Sequence, residues 1–435
     1  MNLENLKRLL SKNNCKSIYV KALAPNDNSK NQVYLGGSFD LLNIFPTSEI
    51  KAEAAGDWKR QRFKADTQFY WITDEGNLTL APDSQFILYP KYPEVRFSGF
   101  LKNCTNAPSS LMATRLPGRL LFLAITDERK VLGYVTSSET ELANDFKKLE
   151  NLETNGVFKI IEIESKIDSK NKLLSEFRRI TELGWIDSKR LGANGQILPC
   201  LAPNCGGYTL EAELGITPNG YSEPDYLGWE VKQFNVRNFD KFKSEIITLM
   251  TPEPTHGYYV SEGVEAFVRK YGYADKLGRA DRLNFGGIHK AGITHHETNL
   301  KLELVGFDSS ISKIKDVNGR IALLDANDNE AASWSFASLL KHWNRKHNQA
   351  CYVPSQNTKE PVLKYRYGHN LILGSGTDFI LFLKQMSLGN IYYDLGIKLE
   401  NASTKPQTKR RSQFRIKSGS LADLYYSSEI VDLKM

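Results

Sequence analysis

The chain has 435 residues, 41% hydrophobic and 25% charged, the profile of a globular protein with room for two or three domains, each with a core of its own. Its most apolar runs, at 120–123 and 379–383, fall well short of the roughly 20 residues that cross a bilayer as a helix, which excludes a membrane span and a membrane partner. Fifty-seven basic against 50 acidic residues leave a net charge of +7, which permits a polyanionic partner without requiring one.

Residues 1–8 read as the start of an amphipathic helix and lack the apolar stretch of a secretory signal, so a cytoplasmic location is expected. β-branched and aromatic residues then mark strands at 17–21, 32–35, 68–72, 85–89 and 119–125, with the turn-rich segment 24–29 between the first two. Short strands separated by Gly, Pro and Asn predict an all-β domain over residues 1–140. Charge crowds the next stretch, through Glu139, Glu141, Asp145, Lys147, Lys148, Glu150 and Glu153. With one strand-like island at 157–161, it reads as a linker over 141–172.

Beyond residue 173 the pattern alternates helix and strand, which predicts an α/β domain over 173–435. Helices are expected at 174–180, from about 209–212, and at 242–249, with a strand at 229–233 between the last two. A hairpin turning on Asn318-Gly319 joins Ile314 to Ile321. Two more helices are expected, at 336–343 and, capped by Thr377, at 378–386.

Cys15, Cys104, Cys200, Cys205 and Cys351 are scattered, which suits a reduced compartment better than a disulfide framework. Cys200 and Cys205 have no second pair nearby to complete a zinc site. His295-His296-Glu297 also lacks a third ligand, and neighbouring strand residues face opposite ways. His342 and His347 flank Trp343-Asn344-Arg345-Lys346 at a helix end, where dipole complementarity or contact with a DNA backbone accounts for them equally. No nucleophile elbow or phosphate-binding loop occurs, which disfavours a serine hydrolase or an NTP-driven motor.

The chemistry concentrates in Pro224-Asp225 and Trp229-Glu230-Val231-Lys232. Phosphodiester hydrolysis calls for a hard divalent cation such as Mg²⁺, which prefers carboxylate and carbonyl oxygens. Asp225, Glu230 and the main-chain carbonyl of Val231 are the expected ligands. On a strand Glu230 and Lys232 share one face while Trp229 and Val231 take the other, so Lys232 is placed to orient water or stabilise charge on the phosphate. Pro224 lets Asp225 approach from a turn. Similar triplets at Glu128-Arg129-Lys130 and Glu164-Ser165-Lys166 lack the upstream Pro-Asp, and from the residues alone a surface strand bearing an ion pair fits as well.

Gly184-Trp185, Lys189-Arg190, Gly207-Tyr208-Thr209-Leu210-Glu211-Ala212, Pro224-Asp225 and Trp229 to Lys232 together resemble the catalytic core of the MvaI/BcnI restriction endonucleases, of the PD-(D/E)xK nuclease superfamily. Trp334-Ser335-Phe336 and Phe414-Arg415-Ile416 extend the likeness, over about residues 170–433 in all. The resemblance implies an α/β nuclease fold with a central mixed sheet, with Asp225, Glu230 and Lys232 catalytic and Glu211 a supporting carboxylate. Lys189, Arg190, Asp394, Lys398, Arg410, Arg411 and Arg415 would meet DNA. The acid-free segment 401–421, with its six basic residues, otherwise reads equally as a solvated loop. Family members carry histidines before Phe-Arg-Ile, where this chain has Arg410, Arg411, Ser412 and Gln413.

Tyr19-Val20-Lys21, Asn26-Asp27, Gln32-Val33, Phe45-Pro46 and residues 89–96 resemble the effector DNA-binding domain of EcoRII-type enzymes. That domain is a β pseudobarrel related to the plant B-three fold. The resemblance implies two DNA-gripping arms, at 21–32 and 91–115, with Lys21, Asn26, Asp27, Asn31, Gln32, Lys91, Arg96 and Arg115 as contacts. Together the two likenesses imply a Mg²⁺-dependent type IIE restriction enzyme on duplex DNA, cutting CCWGG or a related CCNGG site while sensing a second copy. They further imply a monomer, with a cognate DNA methyltransferase in the host. Two other readings share the fold: a strand-selective nicking or repair endonuclease, and a catalytically inactive DNA-binding regulator.

Overall fold

The computed structural model describes residues 1–54, 60–163, 169–202, 204–217, 224–241 and 244–434. Its backbone divides into two compact units, Met1–Ile167 and Asp168–Met435. Among the described residues no helix is long and apolar enough to cross a membrane.

In the first unit the expected strands form because apolar residues alternate inward, as Ile18 and Val20 do in Ser17–Ala22. Seven strands make one sheet, in the order Glu153–Asn155, Phe158–Glu162, Ser17–Ala22, Leu120–Ile125, Val131–Thr136, Phe69–Ile72, Leu78–Leu80. A second sheet runs Val33–Gly36, Glu94–Ser98, Gln85–Tyr89, Arg62–Asp66, Ile50–Glu53. Neither order closes into a ring among the described residues. Phe69 joins the two sheets, its ring 4.9 Å from both Trp71 and Phe97 in edge-on contacts. Gly133 lies under the same ring, where a Cβ would come within 2.4 Å of it.

The expected linker is a correction. Residues 141–163 carry the helix Glu141–Lys147 and two strands of the first sheet. Phe158, Ile160 and Ile161 turn inward while the charged residues that suggested a linker take the outer faces. Of the remainder, 164–168, with Glu164-Ser165-Lys166, lie outside the described residues, and 169–172 open the helix Ser169–Glu182.

In the second unit Glu230–Asn235 runs parallel to Gln349–Thr358, and the rest of that six-stranded sheet is antiparallel. This is the mixed sheet expected. Leu173, Leu174, Phe177 and Ile180 of the helix Ser169–Glu182 pack on it together with Trp229, Val231, Cys351 and Val353. A separate five-stranded antiparallel sheet runs Ile246–Met250, Gln407–Lys417, Ile391–Glu400, Arg282–His289, Tyr273–Ala274.

Four expectations need correction here. Residues 246–249 are strand, since Ile247 and Leu249 alternate inward; positions 242–243 lie outside the described residues. Ile314 and Ile321 do not pair across Asn318-Gly319: Ile314 pairs with Phe307, and Ile321 with Leu304 and Trp334, because burial in a three-stranded sheet outweighs the local turn signal. Asp378 caps the helix Phe379–Ser387, while Thr377 Oγ1 donates to the Leu424 carbonyl and accepts from Trp343. Cys200 and Cys205 form a disulfide instead of staying reduced, the turn before the helix Cys205–Glu213 bringing their Cα atoms to 5.8 Å.

Candidate active site and nucleic-acid surfaces

A two-residue turn builds the site. Tyr226 and Trp229 exchange backbone hydrogen bonds of 2.9 and 2.8 Å around Leu227 and Gly228, both with positive φ, +48° and +85°. That is the primed geometry which reverses a chain tightly. It folds Asp225 back along the strand, where its Oδ2 accepts from the Val231 N–H at 3.1 Å. The approach foreseen for Asp225 is thus made by Leu227-Gly228, downstream of Pro224. Glycine takes such a φ freely, whereas leucine spends about 1 kcal/mol on it.

Trp229 and Val231 bury in the core, so Glu230 and Lys232 share the other face, and Lys232 Nζ meets Glu230 Oε1 at 2.5 Å. A second ammonium reaches the same oxygen: Lys346, in the last turn of the helix Phe336–His347, at 3.3 Å. Glu230 is fully buried, and its Oε2 has no hydrogen-bond partner among the described residues. Burial opposes its charge, but Lys232, Lys346 and His347 outweigh that and hold the carboxyl down at about 2. Burial, then Glu230, pushes Asp225 up to about 6. Burial, then Asp225, pushes Glu211 up to about 7. Lys232 loses hydration, yet Glu230, Asp225 and Glu211 still raise it above its ordinary value. The Asp225, Glu211 and Glu230 carboxyls therefore sense one another and both lysines.

The donor set suits a hard divalent cation. An orphaned buried carboxylate oxygen, beside carboxyls pushed up first by burial and then by one another, marks a cluster that a cation would suit. Among the described residues no three His, Cys, Asp or Glu side chains are grouped as a metal site. Two carboxylates and one main-chain carbonyl, with the remaining positions left to water and phosphate, is the manner in which Mg²⁺ is usually held.

Lys346 was not foreseen as a site residue. The basic cluster around His342 and His347 was its only signal in the sequence. His342, one turn earlier, is pushed down to about 4 by burial and then by Lys346 and Lys232. Lys189 Nζ pairs with Glu213 at 2.6 Å, and Arg190 is exposed beside it on the strand Lys189–Leu191.

In the five-stranded sheet Asp394 binds Arg411 at 3.1 Å and Arg415 at 2.5 Å. Arg410 turns away to Glu253 and Tyr259, and Lys398 is exposed opposite Lys409.

In the first unit a cleft of 610 Å³ is lined by Asn26, Asp27, Asn31, Gln32, Tyr34, Arg96 and Arg115, which brings six of the eight expected contacts together. Lys21 is a correction: it is 5% exposed and pairs with Asp27 at 3.0 Å beneath the cleft, where a buried ammonium needs its counter-ion. Lys91 lies off the cleft, its ammonium over the Tyr92 ring. Arg119, also unforeseen, is fully buried. It donates to the carbonyls of Ala24 and Asp27 in one loop and of Leu111 and Leu116 in the other, which ties the two loops together. Arg96 adds a bond to the Asn31 carbonyl at 3.1 Å.

Residues 174–425, more than half of the chain, match the family model described as MvaI/BcnI restriction endonuclease family. A match of that extent makes the protein a DNA-cutting nuclease. The chain belongs to the MvaI/BcnI restriction endonuclease family. Among solved structures it is similar to restriction endonuclease MvaI in complex with its cognate DNA, at 19% identity and a TM-score of 0.45, over 61% of this chain and 99% of that one. MvaI without DNA matches at 16% identity and 0.34, over 62% and 99%. The B3 domain of the UbaLAI restriction endonuclease with cognate DNA matches at 15% identity and 0.25, over 37% and 98%. No curated protein matches the chain.

Proposed function

We propose that this restriction endonuclease is a Mg²⁺-dependent type II enzyme whose catalytic residues are Asp225, Glu230 and Lys232, with Glu211 in support. The observation that carries the reading is the buried, unpartnered Oε2 of Glu230 beside Asp225 and two ammoniums. Asp225, Glu230 and the Val231 carbonyl would hold the ion, which when bound polarises the phosphate and supplies hydroxide. Lys232, kept protonated by three carboxylates, orients the attacking water and stabilises the charge that builds on the phosphate. Glu211, whose carboxyl is pushed to about 7, can take or release a proton near neutrality.

We infer base reading in the second unit from Asp394, Arg411 and Arg415. An acid accepts from cytosine and an arginine donates to guanine, which suits a CCWGG or related CCNGG site. Lys189, Arg190, Lys398 and Arg410 are assigned to the phosphate backbone. In the first unit the cleft that gathers Asn26, Asn31, Gln32, Arg96 and Arg115 supports a DNA-binding, B-three-like role. Sensing one copy of the site there while another is cut is the type IIE arrangement. With one catalytic centre per chain, a monomer cuts the strands one at a time, and two chains that pair transiently cut them together. Incubation with plasmid and Mg²⁺ tests the whole reading: the account expects linear products with shared ends. Persistent open circles would favour a nicking enzyme, and intact plasmid an inactive DNA-binding regulator.

A further inference from the structure

Glu230 receives more positive charge than one carboxylate needs. Lys232 and Lys346 both approach Oε1, at 2.5 and 3.3 Å, while Oε2 is left without a partner. Lys346 stands in the last turn of the helix Phe336–His347, the end at which the helix dipole favours a cation. That end is also held firmly. The His347 ring stacks on Trp343 at 4.1 Å, its Nε2–H donates to the Leu249 carbonyl at 3.2 Å, and its Nδ1 accepts from the Tyr425 hydroxyl at 3.4 Å. Trp343 in turn donates to Thr377 at 3.1 Å. Ordering a long lysine side chain has an entropic cost, which a second partner to a carboxylate already paired does not obviously repay.

Charge gives the second lysine a use. Once Glu211, Asp225 and Glu230 are all ionised, above about pH 7, with only Lys232 opposing them, one divalent cation would bring the site to neutrality and leave nothing to attract DNA. With Lys346 present the loaded site carries one surplus positive charge, which is what one phosphodiester neutralises. Its side chain is 20% exposed, so it can reach an arriving phosphate while Glu230 cannot leave the interior.

We propose that Lys346 is a second catalytic ammonium, which Glu230 holds until DNA arrives and which then binds the phosphate at the cut bond alongside Lys232. This rests on the nuclease reading of the site.

The test uses the full chain and its Lys346→Met and Lys346→Arg variants, with two readouts: binding of Mn²⁺ alone by titration calorimetry, and single-turnover cleavage of supercoiled plasmid. Lys346→Met should bind Mn²⁺ at least as tightly as the wild type, by about threefold, because a competing cation has left Glu230. Its cleavage should nevertheless fall by about 100-fold or more, and Lys346→Arg should recover most of the loss. A residue that merely propped up Glu230 would give the opposite metal result, with weaker Mn²⁺ binding in step with cleavage, and that overturns the proposal. Cleavage by Lys346→Met within about threefold of wild type overturns it too. If the methionine variant does not unfold cooperatively, Lys346→Gln, which keeps a hydrogen bond to Oε1, is read by the same two criteria. A wild type that neither binds Mn²⁺ nor cuts removes the nuclease reading itself, and Lys346's role with it.

Discussion

Glu230→Gln preserves the shape of the site and deletes the charge that two ammoniums face. Removing one partner of a buried ion pair costs about 3–5 kcal/mol when the other charge stays buried. Lys232 and Lys346 are each 20% exposed and can turn towards Asp225, Glu211 or water, so a cost of about 2 kcal/mol is expected. For a unit spanning Asp168–Met435 that lowers Tm by about 4–8 °C. Metal gives a second, independent reading. A ligand at a hundred times its Kd stabilises the native state by about 2.7 kcal/mol, so Mg²⁺ should raise the wild-type Tm by about 5–10 °C. In Glu230→Gln that rise should vanish together with cleavage. Thermal unfolding with and without Mg²⁺, followed by a plasmid assay on the same samples, gives all three quantities. A Glu230→Gln protein that keeps the full Mg²⁺-induced rise would refute the assignment of Glu230 as a metal ligand.

Arg119→Lys keeps a charge but loses the fork that joins the two loops of the first-unit cleft, so duplex binding by that unit should weaken at least tenfold, about 1.4 kcal/mol; unchanged binding in a gel-shift titration would disconnect Arg119 from the cleft. His289 is fully buried and pushed down to about 3 by burial and then by His295, from an ordinary 6.5. The unfolded chain therefore takes up a proton between pH 6.5 and 3 that the fold refuses, and stability present above pH 6.5 is lost as pH falls. Near pH 5 this amounts to about 2 kcal/mol, and His289→Phe should flatten the Tm profile between pH 7.5 and 5; an unchanged slope would contradict the sign. A fragment of residues 169–435 should unfold cooperatively and retain cutting, whereas one of residues 141–435 carries two stranded strands of the first sheet and should aggregate more readily on heating, as light scattering would show.

The geometry of the Asp225 to Lys232 segment was largely legible because it is local. Glu230 and Lys232 lie two apart on one strand, so spacing alone foretells their common face, whereas the turn that returns Asp225 rests on Leu227-Gly228. Lys346 was not legible, because its approach to Glu230 depends on how a distant helix crosses the sheet, which no short pattern encodes. The same limit explains Lys21, where the family resemblance implied DNA contact and a tertiary ion pair with Asp27 buries it instead. At 246–249 apolar residues were read as the end of a helix, but pairing with the strand Gln407–Lys417 decides the matter. Asn318-Gly319 is a strong local turn signal overridden by burial. Charge density misled over 141–163 because an outer strand face and a linker have the same composition.

The central claim is that Asp225, Glu230 and Lys232 cut duplex DNA at one short sequence. Sequencing the ends of plasmid fragments made with Mg²⁺, by the wild type and by Lys232→Ala side by side, tests it most directly. The account predicts wild-type ends that all fall within one CCNGG-type site, and none from Lys232→Ala, which should still bind DNA. Ends scattered without a shared sequence, or the same ends from Lys232→Ala, would contradict it.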